Sequence, residues 1–369
     1  MKIGIVSWTY WTNYGTELQL YALQNILKNM HHKVRIISDD SIIIKIRNIK
    51  PTPKSNKNLK YQIKCKIKNL IKKDISLPYC KIDKNIKNFK KSKLNIIPYK
   101  PELLNDSLDI FICGSDQIWS LKECDFDSFY WLGFTSKKKI SYAPSMGTMN
   151  ITRQNEFKML LKDFDHISVR ERQNSYQLSE LTNKKVQWVC DPTLLFTKDY
   201  WNRVSGGKKK FIQKKYILCY FLESNNWYFE YANEVSKQFE IELLLICNLR
   251  EHCYSPFACQ KAPDPLEFVN MIKNAEFILT DSYHGSIFSL IFNKKFLYLK
   301  RFEDTDSDKS GQNVRIYSLF EYLNIQNIIV SRKAFNANDI KQIDYNFVNE
   351  KISKFRESSL NFLTESINN

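Results

Sequence analysis

The sequence predicts an α/β protein with two doubly wound, Rossmann-like domains facing a cleft, and three observations carry the prediction. Short apolar runs without polar alternation are separated by segments of helical period, the signature of parallel strands covered on both faces. The series pauses at residues 198–215, where Gly206, Gly207 and a lysine cluster interrupt it, and then restarts. The chain has 369 residues, about twice an ordinary domain of ~100 to 200 residues.

The elements follow in order. Residues 2–7 read as a strand, residues 13–15 as a tight turn, 16–30 as a helix and 34–38 as a second strand. Strands are expected at 109–113, 140–143, 166–169 and 186–189, with helices near 152–163 and 171–181. After the pause come strands at 216–222, 241–246, 277–280 and 296–299, and helices at 226–239, 265–273 and 286–292. The expected domains are 1–200 and 201–344, with 345–369 a helix packing back toward the first.

Composition excludes whole classes. Hydrophobic residues make up 43% and aromatics 14%, too many for a disordered chain, and nine Gly and ten Pro leave no collagen-like architecture. The start MKIGIVSWTY has no long apolar stretch or cleavage site of an export signal, and no window of about 18 apolar residues suggests a membrane span. Nine cysteines, among them Cys113, Cys190, Cys219 and Cys247 inside apolar runs, read as buried thiols of a reducing compartment. A cytoplasmic protein is expected.

The formal charge of +17 is concentrated. Residues 41–100 hold 18 Lys and Arg against two acids, Asp74 and Asp83, so the body is near neutral and one insertion is strongly basic. Ile63, Ile67, Leu70 and Ile71 recur at helical spacing among Lys64, Lys66, Lys68, Lys72 and Lys73, the pattern of a helix that lies on anionic lipid or packs on the body through its isoleucines. Arg47 is the single arginine there and aromatics are few, which disfavours nucleic acid.

Polar groups cluster just past the apolar runs: Asn13-Tyr14-Gly15, Gly114-Ser115-Asp116-Gln117, Ser168-Val169-Arg170-Glu171 and Thr280-Asp281-Ser282-Tyr283-His284-Gly285. Strand-to-helix junctions offer free N–H groups and a positive dipole end, so an anionic substrate is expected there. His284 is placed to donate to an anion or move a proton, or to cap the junction. Arg170 offers a planar fork for a carboxylate or phosphate, or pairs with Glu171 or Asp165. Asp116 is a turn or N-cap candidate as well as a catalytic one. The phosphate-cradling motifs G-x-G-x-x-G and G-x-x-x-x-G-K-[ST] are missing, which disfavours a nicotinamide dehydrogenase or P-loop hydrolase. Cys247, His252, Cys253 and Cys259 match no common zinc spacing, and no metal is expected.

The ordered blocks GIVSWTYWTNYGTELQLYALQ (4–24), ICGSDQIW (112–119), SYAPSMG (141–147), SVRE (168–171), DPTLL (191–195) and TDSYHGS (280–286), followed by RIYSLFEYLNI (315–325), resemble the polysaccharide pyruvyl transferase family. The resemblance implies a GT-B-like fold and an enzyme that moves a pyruvyl group from phosphoenolpyruvate to a sugar of a bacterial cell-surface polysaccharide or its lipid-linked precursor, forming a ketal without a cofactor. It implies that Arg170 and His284 bind phosphoenolpyruvate. Gly285, Ser286 and Arg315 join that donor set, with Arg301 or Lys300 as alternatives to Arg315, because Ser282 stands where many relatives carry an arginine. His284, Asp116 and Asp281 are the catalytic candidates; Asn13, Tyr14, Gly15 and Glu17 the acceptor candidates. Two other functions fit the same architecture: a glycosyltransferase using a nucleotide sugar, and a non-catalytic scaffold of a glycan-assembly complex. An acceptor on a lipid carrier would give residues 41–100 an anionic membrane surface as partner.

Overall fold

The computed structural model describes residues 1–46, 77–120, 127–148, 151, 153–302 and 313–369. In the first half, strand β1 (Lys2–Val6) leads to helix α1 (Tyr14–Asn29), β2 (Lys33–Ile37), α2 (Asp40–Ile46), α3 (Leu77–Lys93), β3 (Ile96–Ile97), α4 (Pro101–Ser107), β4 (Ile110–Cys113), β5 (Lys138–Ser141), α5 (Gln154–Leu161), β6 (Ile167–Val169), α6 (Arg172–Thr182) and β7 (Val186–Trp188). The second half runs through α7 (Lys198–Val204), β8 (Ile217–Tyr220), α8 (Asn226–Phe239), β9 (Leu243–Leu245), α9 (Pro265–Asn274), β10 (Phe277–Thr280), α10 (Tyr283–Ile291), β11 (Phe296–Leu299), α11 (Val314–Leu323), β12 (Ile329–Val330) and α12 (Tyr345–Asn368).

The first sheet is parallel in the order β3-β2-β1-β4-β5, and a bridge between Ile140 and His166 carries it on to the parallel pair β6-β7. The second is parallel in the order β12-β11-β10-β8-β9. The expected α/β class and doubly wound architecture are observed. Each sheet reverses its winding once. Sheet one does so between β1 and β4, where Ile3 pairs with both Val34 and Ile110. Sheet two does so between β8 and β10, in register from Phe277–Ile217 to Thr280–Tyr220. Loops beyond the strand ends at such a switch part in opposite directions and leave a crevice.

One apolar core runs through both sheets, from Ile3, Ile5 and Leu18 to Ile278, Leu279 and Phe288. Helix α10 is buried at all nine positions, which explains its apolar composition: it lies inside the molecule and has no solvent face. Tyr14 pins the two halves. Its ring stacks on Phe268 at 4.5 Å and its hydroxyl donates to the carbonyl of Pro263 at 2.9 Å. Helix α12 crosses back, with Phe355 against Trp188 at 4.2 Å and the Ser359 hydroxyl accepting from the N–H of Cys190 at 2.9 Å.

Two expectations need correction. Residues 198–204 are helical, because Trp201 buries its whole side chain and outweighs the Gly and Lys signal that follows. Asn270 then ties down the succeeding turn, donating to the carbonyls of Ser205 and Lys209 and accepting from the N–H of Phe211. The helix expected from residue 286 begins at Tyr283, which moves His284 into its first turn. The basic segment contributes α3, whose Ile82, Ile86 and Phe89 pack inward. The amphipathic helix expected around 63–73 lies outside the described residues.

Candidate active site

The crevices of the two switch points meet in one cavity of about 460 Å³. From the first domain come the loop after β1 (Trp8, Trp11, Thr12, Asn13), the start of α1, Asp116 and Gln117 beyond β4, and the inner face of α3. From the second come Leu222 beyond β8, Asp281 to His284 beyond β10, Tyr298, Arg301 and Arg315.

Two helices begin at this cavity. Asn13 caps α1 by accepting from the N–H of Gly15 at 2.8 Å, and Ser282 caps α10 by accepting from the N–H of Gly285 at 3.3 Å. Both positive dipole ends therefore point toward the same space, an arrangement suited to an anion. The helices touch where Gly15 meets His284: a Cβ on Gly15 would lie 2.0 Å from Nδ1 of the imidazole. Only a residue without a side chain lets α1 come so near.

The other imidazole nitrogen, Nε2, stands 3.3 Å from Oδ2 of Asp191, and Nη1 of Arg170 donates to that same oxygen at 2.9 Å. Asp191 divides its carboxylate. Oδ1 accepts from the N–H of Thr193 at 3.0 Å and from its hydroxyl at 2.7 Å, closing the turn after β7, while Oδ2 faces both the guanidinium and the imidazole. Burial favours the protonated acid, but His284, Arg170 and the Thr193 N–H outweigh it and hold the carboxyl far below its usual range. Burial likewise opposes the charge of Arg170, and Tyr283, Asp191 and Glu171 reverse that effect.

Arg170 does not line the cavity. Its guanidinium lies 4.7 Å from the centre of the Tyr283 ring, with Asp191 on one side, so it supports the imidazole from behind. Glu171 accepts from the Ser145 hydroxyl and the N–H of Met146. Arg315, 6.0 Å from the same Tyr283 ring, does line the cavity. Burial and the nearby Arg170 pull it down to about 10, still a cation at neutral pH.

Asp116 reaches the cavity in a left-handed conformation, φ +76°. A non-glycine residue there carries ~1–2 kcal/mol of strain, held in place by bonds from the Thr16 hydroxyl at 2.6 Å and the Gln117 N–H at 2.9 Å. Asp281 lines the cavity, but its two oxygens accept from the N–H groups of Leu222 at 2.6 Å and Glu223 at 3.1 Å. Burial pushes its carboxyl up to about 7 against the pull of Arg301 and those N–H groups. Glu17 lies beneath the cavity wall, fully buried and 3.0 Å from Lys90, whose ammonium also donates to the carbonyls of Thr9 and Trp11. Burial pushes Glu17 up to about 8 despite that ammonium. Gly285 and Ser286 do not line the cavity: Gly285 abuts the Thr280 hydroxyl, and Ser286 donates to the carbonyl of Ser282. Among the described residues no group of three His, Cys, Asp or Glu side chains is placed to hold a metal ion.

A family model described as polysaccharide pyruvyl transferase matches residues 13–301. The chain belongs to the polysaccharide pyruvyl transferase family. This pyruvyltransferase therefore acts on a sugar or polysaccharide acceptor, the substrate class of its family. No curated protein sequence matches it. Among solved structures it is similar to the UDP-GlcNAc 2-epimerase of Neisseria meningitidis bound to UDP-GlcNAc, with TM-score 0.53, 12% identity, and coverage of 100% of this chain and 99% of that one. It is similar also to a Listeria monocytogenes structure described as a UDP-N-acetylglucosamine 2-epimerase, with TM-score 0.51, 12% identity, and coverage of 99% and 95%. At such identity the likeness concerns the fold, which in this pyruvyltransferase is GT-B-like. No helix among its described residues is long and apolar enough to cross a membrane.

Of the residues singled out in the sequence, the fold brings Asn13, Tyr14, Asp116, Asp281, His284 and Arg315 to the cavity and places Arg170 behind it. The residue that sequence reasoning missed is Asp191. Its Asp-Pro-Thr context reads as a cap, which it is; nothing local shows that the free oxygen faces an imidazole from the other domain.

Proposed function

We propose that the enzyme transfers the pyruvyl group of phosphoenolpyruvate to two hydroxyls of a sugar in a bacterial cell-surface polysaccharide or its lipid-linked precursor, forming a cyclic ketal. The observation that carries this reading is His284 anchored on Asp191 at the meeting of two helix starts, with Arg315 and Arg301 on the same cavity wall. Phosphoenolpyruvate brings a carboxylate and a phosphate on a three-carbon frame. The two cations and two dipole ends offset that charge, and the volume suits a small donor beside a sugar ring.

In this mechanism the methylene carbon of the enol accepts a proton and C2 gains oxocarbenium character. A sugar hydroxyl oxygen bonds to C2 and gives up its proton, the C2–O bond to phosphate breaks, and a second hydroxyl closes the ring as its proton leaves. Two hydroxyl protons are accounted for, one on the new methyl group and one on phosphate, and no cofactor takes part. His284 is the proton carrier best supported: its Nε2 stands 3.3 Å from Oδ2 of Asp191, which orients the ring. Asp116, held in a strained conformation at the wall, is the group best placed to receive a hydroxyl proton.

The reading is tested by incubating the enzyme with phosphoenolpyruvate and candidate lipid-linked glycans, following phosphate release together with the acceptor's mass. Equimolar phosphate and ketal support it. A melting temperature raised by nucleotide sugars and unmoved by phosphoenolpyruvate would favour a glycosyltransferase. Contact with an anionic membrane draws support from α3, where Lys81, Lys84, Lys87 and Lys91 are exposed along one side. Sedimentation with phosphatidylglycerol vesicles, lost on neutralising these lysines together with Lys64, Lys66 and Lys68, is the expected result. Equal sedimentation of both forms would remove the membrane from the reading.

A further inference from the structure

The cavity walls differ in chemistry. The second domain supplies Arg301, Arg315 and His284 along with Tyr220, Tyr283 and Tyr298, whereas the loop after β1 and the inner side of α3 supply Trp8, Trp11, Tyr79 and Asp83 and no Lys or Arg. A small dianion has no use for three aromatic rings. The flat faces of Trp and Tyr suit the C–H faces of a pyranose, which is amphipathic in the same sense as the rings themselves.

Polar atoms without partners reinforce the contrast. Among the described residues Nε1 of Trp8, Oδ1 of Asn248, Oδ1 of Asn313 and Nε2 of His284 are buried and form no hydrogen bond, and all four residues line the cavity. A buried polar atom left unpaired costs about 1–3 kcal/mol, so several around one cavity mark a place where a ligand completes the bonding. Those of Trp8, Asn248 and Asn313 are neutral: one donor and two acceptors, a set that matches hydroxyl groups and gains little from a phosphate. Asp83 adds an anion that a phosphate would avoid. Its carboxylate accepts from the Thr12 hydroxyl at 2.9 Å and from Lys87 at 2.7 Å, and is thereby fixed in orientation. The loop is fixed too, since Lys90 on the same helix holds the carbonyls of Thr9 and Trp11.

We propose that Trp8, Trp11, Tyr79 and Asp83 of the first domain, with Asn248 and Asn313 reaching in from the second, form the acceptor subsite, and that it takes an uncharged pyranose with free hydroxyls. The proposal rests on the pyruvyl-transfer reading and assigns its acceptor side. It makes the second half of the basic insertion a specificity element: α3 is the wall that a sugar meets, and changes there alter which glycan is modified.

The test uses the full chain and methyl β-D-galactopyranoside, whose free O4 and O6 present the 1,3-diol a six-membered ketal needs. Saturation-transfer NMR reads contact between protein and pyranoside, and thermal shift with phosphoenolpyruvate is measured in parallel. Expected is a transfer signal in wild type that falls at least five-fold in Tyr79→Ala and Trp8→Ala, persists in Tyr79→Phe, and is intermediate in Trp8→Phe, which keeps a ring and loses the N–H. The shift with phosphoenolpyruvate stays at the wild-type value in all four, which also shows that they fold. No transfer in wild type, or equal transfer in every variant, overturns the subsite. A lost phosphoenolpyruvate shift in wild type with the aromatic dependence intact overturns the donor reading and leaves the sugar subsite standing.

Discussion

Gly15 and His284 come from different domains, yet a Cβ on the first would stand 2.0 Å from Nδ1 of the second. In Gly15→Ala either the imidazole or the start of α1 must shift. Alanine is otherwise the better helix former by about 1 kcal/mol, so stability should change little, while a displaced proton carrier costs on the order of 100-fold in turnover. Calorimetry beside steady-state phosphate release checks this; an unimpaired kcat would show that the ring can move without consequence.

Asp191→Asn keeps the shape and the turn to Thr193 but removes the anion shared by Arg170 and His284. Breaking a buried pair of this kind costs about 3–5 kcal/mol, readable by urea denaturation. The wild-type carboxyl is held below its ordinary value, so the stability it contributes is present above about pH 4 and is lost only as pH falls through the lowered folded-state value. A variant within 1 kcal/mol of wild type would mean that the Arg170 guanidinium finds another partner.

Arg315→Gln should remove the guanidinium from the donor wall. A charge-assisted bond contributes roughly 2 kcal/mol, so the KM for phosphoenolpyruvate should rise about 30-fold and the ligand's thermal shift should vanish. An unchanged KM would transfer that role to Arg301.

Glu17 gives a pH signature in stability. Burial holds its carboxyl up to about 8, so its contribution is complete below the ordinary value near 4.5 and is lost as pH rises through about 8. The melting temperature should therefore decline from pH 6 to 9, and Glu17→Gln, neutral throughout, should flatten part of that decline. Parallel curves would mean that another group is responsible.

Tyr14 joins the halves through its hydroxyl and its ring. Tyr14→Phe should cost about 1 kcal/mol for the hydrogen bond, and Tyr14→Ala about 3–5 kcal/mol for the buried ring. Similar losses in both variants would show that the stack contributes nothing.

Much of this molecule is written locally. Apolar runs such as IFIC at 110–113 and FILT at 277–280 read as strands buried on both faces, and the Asp-Pro-Leu-Glu start of α9 carries its own capping box. The junctions after these strands were legible as helix starts for the same reason: a helix start has free N–H groups whatever surrounds it. His284 and Asp116 could be picked out on that ground, and the family could be recognised from the same blocks. The side of the cavity on which each residue falls was not legible. That Asp191 gives one oxygen to its own turn and the other to an imidazole, that Arg170 sits behind Tyr283, that Glu17 lies beneath the cavity wall and that α3 becomes a cavity wall all depend on contacts between residues far apart in sequence. Periodicity and capping report interactions within a few residues along the chain. The pairing of one domain's helix start with the other's is set by the packing of two sheets through a common core, and only the tertiary structure decides it.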